Sequence, residues 1–244
     1  MDVSTRAVAT AAVAAVVAAT AFVGEVPLIV FAGLLVLAFC VGWPALVDLP
    51  TRLGPSIVIG LGGVGAVVAV AFTQGEPFLR DLPLVLALAV VLSFVNELIR
   101  RDGRERLVES VSGVVAGVLV ATSVAGWVAA GRTTGGVSLV VTGAVALAFG
   151  SAVSALPLAG WAGASATLAA AAGAGAGVGL LVPGIEPQVG GLIGLAVGIL
   201  IAALLELFSG LESLRGRWAS IAAIILPVTV TGILVYVVGR VLVG

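Results

Sequence analysis

Residues 54–73 read GPSIVIGLGGVGAVVAVAFT, twenty positions without one charged side chain, followed by the break Gln74-Gly75-Glu76-Pro77. A helix of that length rises about 30 Å, which matches the hydrocarbon thickness of a bilayer. In a water-soluble fold such a helix would need apolar neighbours on every side. The rest of the chain cannot be water-soluble cover for it, because the same pattern recurs to the end.

Outward from that segment, nine apolar runs separated by short charged or Pro/Gly breaks cover 7–23, 28–47, 54–73, 82–99, 107–130, 137–156, 158–182, 189–208 and 218–239. The expected fold is an all-α transmembrane bundle of about nine spans with no soluble domain. Most boundaries are sharp, as at Gly24-Glu25-Val26-Pro27, Asp48-Leu49-Pro50 and Pro183-Gly184-Ile185-Glu186-Pro187. The sixth junction holds only Pro157, Gly160 and Trp161. A proline there either breaks two spans or kinks one long helix, so eight spans is the alternative. The opening run after Arg6 also has the outline of a signal peptide, but with eight further spans behind it the expectation is an uncleaved first helix.

Hydrophobic residues make up 61% of the 244 and charged residues 9%, where a soluble domain carries about 25%. The net charge of −1 and the lack of any basic patch interleaved with aromatics exclude nucleic acid as an expected partner. Cys40 is the only cysteine, which rules out an intrachain disulfide and a thiolate metal cage. All basic residues are arginines, and their placement predicts orientation. With the loop that carries Arg100, Arg101, Arg104 and Arg106 in the cytoplasm, Arg6, Arg52, Arg215 and Arg217 join it there. Only Arg80, Arg132 and Arg240 remain outside, so the expectation is a cytoplasmic N-terminus in the plasma (inner) membrane. An eight-span chain would move Arg215 and Arg217 to the wrong side.

Three of the outer loops share a Gly-Glu-Pro pattern around Glu25, Glu76 and Glu186. Ordinary turn chemistry explains it, and so would an old duplication of a helical hairpin. The seventh span contains Gly173, Gly175, Gly177 and Gly179, small on all sides, which predicts a thin helix at the centre of the bundle. Gly113 with Gly117, and Gly190 with Gly194, give small-xxx-small faces for close packing in the fifth and eighth spans. Pro227 in the last span removes a backbone donor and frees the carbonyl near Ala223, with Thr229 and Thr231 close enough to help.

No charged residue falls near the middle of any run, which argues against ion coupling and strongly charged substrates. The chain has no histidine for a paired-histidine ammonium pore. It lacks a Walker loop, a paired-aspartate metal site, an HExxH and a Ser–His pair. The Pro-Gly-His-Gly-Gly core of the membrane cytidylyltransferases is absent too. No catalytic residue, metal or cofactor is therefore expected. The polar side chains inside the spans gather toward the cytoplasmic end. Ser93, Asn96 and Glu97 share one face of the fourth span, Glu109 opens the fifth, and Glu206 closes the eighth, where the polar stripe runs on through Ser209 to Glu212. With Arg100, Arg101, Arg104 and Arg106 they define a candidate cytoplasmic vestibule. The alternative is interfacial ion pairing of Glu97 with Arg100 or Arg101, and of Glu109 with Arg106.

The leading expectation is a small permease- or channel-like protein for a neutral or weakly polar solute. The second is a non-catalytic subunit that joins other membrane proteins, or its own copies, through small-residue faces. A lipid-handling enzyme is third. The bilayer is the partner common to all three.

Overall fold

The computed structural model describes residues 3–100, 105–158, 160–211, 214 and 216–242. Among them the chain is all helix: α1 Val3–Val23, α2 Glu25–Leu46, α3 Leu53–Phe72, α4 Leu82–Ile99, α5 Leu107–Ser123, α6 Ala125–Arg132, α7 Gly136–Ser154, α8 Gly160–Leu181, α9 Pro187–Ser209 and α10 Arg217–Leu242. With α5 and α6 taken as one run, nine helical stretches of the described residues are long and apolar enough to cross a membrane. Their ends lie within four residues of the runs read from the sequence. Pro157 falls in the break between α7 and α8, so that junction separates two helices and the eight-span alternative drops out.

The fifth span is the one the sequence describes too simply. Its α-helical ladder is interrupted at Val124, without proline, and resumes to Arg132. Val124 keeps helical dihedrals, and the main-chain bonds Val124 to Ala121 and Trp127 to Val124 tighten to i→i−3 there. The hydroxyls of Thr122 and Ser123 both donate to the Leu119 carbonyl, at 3.0 and 2.9 Å, and back-bonding of this kind weakens the ladder locally. Beyond the interruption, Gly126 lies against the backbone of Gly232, and the Trp127 indole nitrogen donates to the Val228 carbonyl at 2.8 Å. These contacts seat α6 directly on α10.

That contact helps make α10 the hub of the bundle. It touches α1, α2, α5, α6, α7 and α9. Its small residues Ala219, Ser220, Ala222, Ala223, Gly232 and Gly239 are all buried. The expectation for α8 is corrected here. α8 lies at the edge, packed on α7 and α9, and is among the least enclosed helices. Thr167, Ala171, Gly175 and Val178 form its one buried stripe. A Cβ on Gly175 or Gly179 would run into the backbone of Gly190 or Pro187, whereas at Gly173 or Gly177 it would meet nothing within 4 Å. Glycines two apart fall on opposite faces of a helix, so a low-complexity run supplies close packing on one side and a bare surface on the other. Gly190 and Gly194 complete the α8–α9 contact, and Gly113 and Gly117 receive Leu49, Ile59 and Trp43.

At the end of the bundle away from the N-terminus, the pattern glycines Gly24, Gly75 and Gly184 all have positive φ (148°, 74° and 103°), which accounts for glycine at each loop. Two of the loop glutamates form ion pairs, Glu25 with Arg132 at 2.9 Å and Glu76 with Arg240 at 2.7 Å. Arg132 also donates to the Val70 and Ala71 carbonyls, at the negative end of α3, and lies over the Phe78 ring.

Candidate functional site

The residues of the expected vestibule separate into three places. The first is a buried knot at the end of α4. Glu97 is almost fully enclosed, 2.6 Å from the Arg100 guanidinium and 2.5 Å from the Ser110 hydroxyl, which donates to it. Asn96 donates to the same carboxylate at 3.3 Å and fills the space over Gly54, while the buried Ser93 hydroxyl turns back to the Val90 carbonyl. Among the described residues α4 is the least enclosed span and packs chiefly on α3 and α5, so this knot is its polar anchor.

The second place is exposed. Arg106 pairs with Glu109 and, at 3.4 Å, with Asp48. Arg106 and Asp48 are the two non-glycine residues with positive φ among those described, both at 53°. The hydrogen bond and charge of Glu109, followed by the charge of Asp48, raise the Arg106 guanidinium above its ordinary pKa. Both expected pairings, Glu97–Arg100 and Glu109–Arg106, are therefore present. Arg101, Arg104, Glu212 and Arg215 lie outside the described residues.

Glu206, the third, stands apart on α9, which packs on α7, α8 and α10. It lines a cavity of about 530 Å³ together with Trp161 and Thr167. Ser154, Leu156, Leu158 and Leu205 form the wall shared with a larger cavity of about 770 Å³. The larger cavity lies between the start of α1, the ends of α7 and α9, and the first half of α10. Its lining includes Arg6, Thr10, Ser151, Leu204, Phe208, Ala223 and Pro227.

Pro227 lies ten residues into α10, so the cavity reaches about 15 Å from that end, roughly the midplane of a bilayer. Because proline has no N–H, the Ala223 carbonyl lacks its usual donor one turn later, and Ala223 itself lines the cavity. The hydroxyls of Thr229 and Thr231 bond the Leu226 and Pro227 carbonyls, at 2.7 and 2.6 Å. The next carbonyl, Ile224, takes a hydrogen bond from Thr10 of α1. Pro227 was legible as a polar disturbance, but its partner from the first helix was not. The sequence offered Arg6 only as a terminal charge. The contribution of α1 to a cavity depends on the tertiary pairing of α1 with α7 and α10, for which no local signal exists.

Comparison with protein-family models, with curated proteins and with solved structures gives no match.

Proposed function

We propose that the chain is a small permease- or channel-like membrane protein, and that the 770 Å³ cavity is where its solute sits. The observation that carries this reading is the depth of the cavity. A packing defect at a helix end would stay near the headgroups, whereas this one extends to Pro227, ten residues into α10. In our reading the N-terminus faces the cytoplasm of a cell whose plasma membrane holds the protein, and the cavity opens to that side. The three arginines on the opposite side each have a carboxylate near them, Glu25, Glu76 or Asp81, which lessens their weight against that orientation.

A swelling assay in proteoliposomes tests the proposal. Small neutral solutes such as glycerol should enter faster than into protein-free vesicles. Leu204→Trp, which fills the cavity from α9, should bring the rate back to that of empty vesicles. Equal rates for the native protein and empty vesicles across a panel of neutral solutes contradict it.

One feature favours the second reading, association with another membrane helix. Gly173 and Gly177 are four apart on α8 and have nothing within 4 Å of an added Cβ, a small-xxx-small surface that none of the described residues covers. Under that reading, crosslinks from Gly173→Cys in native membranes, made with Cys40 replaced by alanine, join α8 to a second protein or a second copy.

A further inference from the structure

Most of the described arginines have a carboxylate partner: Arg80, Arg100, Arg106, Arg132 and Arg240. Arg52 and Arg217 are exposed. Arg6 differs from both groups. It is only partly exposed, it lines the large cavity, and its Nη1 is shut off from solvent with no hydrogen-bond partner. Among the described residues no carboxylate lines that cavity, and Glu206 belongs to its neighbour.

Of the five hydroxyl side chains in the lining, the four besides Ser151 are already engaged. Ser4, Thr10, Ser154 and Ser209 donate their protons to main-chain carbonyls at 3.0, 3.0, 2.8 and 2.7 Å. Arg6 is the one charged side chain among the described residues of the lining, and a guanidinium there is matched by an oxyanion, whose geometry fits its planar fork. Apart from Arg6 and these hydroxyls the wall is aliphatic and aromatic, with Leu204, Leu205 and Phe208 from α9 and the exposed Leu156 and Leu158 at the rim.

We propose that the cavity binds an amphipathic anion, with a phosphate or carboxylate head on Arg6 and an apolar chain along Leu204, Leu205 and Phe208. The inference rests on the cavity being the solute site and adds an anionic amphiphile as a ligand of that site beside the neutral solutes. The expectation of a neutral solute came from the middles of the spans, and Arg6 lies in the first turns of α1, outside that argument.

The test is thermal stability of the purified protein in neutral maltoside detergent, titrated with octyl phosphate, dioctanoyl phosphatidylglycerol, inorganic phosphate and octyl glucoside. Octyl phosphate should raise the melting temperature of the native protein, and octyl glucoside should not. Arg6→Gln should weaken the half-saturating concentration of octyl phosphate about tenfold or more, the scale of one lost charge-assisted contact. Arg6→Lys should recover part of it, and Arg52→Gln should leave it unchanged. Ser154→Asp, which puts a competing carboxylate in the cavity, should abolish the effect in a chain that keeps Arg6. Tighter binding of the phosphatidylglycerol marks a bilayer lipid as the source, and tighter binding of octyl phosphate marks a water-soluble amphiphile. Equal binding by native protein and Arg6→Gln, or an effect from inorganic phosphate alone equal to that of octyl phosphate, overturns the inference. If Leu204→Cys reacts with water-soluble thiol reagents while no anion binds, the cavity stands as the solute site and only its anionic assignment falls.

Discussion

The Thr10 hydroxyl donates to the Ile224 carbonyl across 3.0 Å in a buried setting, joining α1 to α10 one turn before Pro227. This bond closes the inner wall of the cavity. Proline removes a main-chain donor from the ladder of α10 just here, and Thr10 brings a donor from a neighbouring helix to the next carbonyl.

Replacing Thr10 by valine keeps the shape and removes the donor. We expect a loss of about 0.5–2 kcal/mol, the range for a hydrogen bond between membrane helices. Reversible unfolding in mixed micelles measures it. A variant as stable as the parent would mean the bond contributes nothing.

The Glu97 knot should behave as a buried pair. Glu97→Ala removes the buried carboxylate that Arg100, Ser110 and Asn96 share and is expected to cost about 3–5 kcal/mol, while the joint change Glu97→Gln with Arg100→Met recovers much of that. Glu109→Ala, at an exposed pair, should cost under about 1 kcal/mol. Similar losses at Glu97 and Glu109 would contradict the burial contrast.

The two faces of α8 give a paired prediction. Gly190→Val drives a side chain into the carbonyl of Gly175 and should destabilise by about 1–3 kcal/mol. Gly173→Val enters open space and should change stability by less than about 0.5 kcal/mol. The order of the two melting temperatures is the readout, and the reverse order would refute the packing assignment.

The helices were legible because bilayer thickness acts on each run separately. The segment 54–73 states its own length, and so do the other eight. Pairings across the bundle were not legible in the same way. The glycines of α8 announced close approach but not which face makes it, since a spacing of two serves both faces. Glu97 and Arg100 could be paired from their i, i+3 spacing, whereas Ser110 arrives from another helix. Arg6 looked like a topogenic charge because nothing near it in the chain says that Ala223 and Pro227 line the same space. Hydrophobic periodicity selects buried positions only where water is the alternative, and in lipid that selection is weak.

Aqueous access to the cavity is the claim on which the functional account stands. Leu204 lines the cavity, whereas its neighbour Ala203 is exposed on the outer surface of α9 at nearly the same depth. In a background where Cys40 is replaced by alanine, Leu204→Cys and Ala203→Cys would be exposed to a charged, membrane-impermeant thiol reagent in vesicles of each orientation. The account predicts rapid labelling at 204 only when the reagent is on the side of the N-terminus, with position 203 unreactive from both sides. Protection of 204 from both sides, or equal reactivity at 203 and 204, would contradict it.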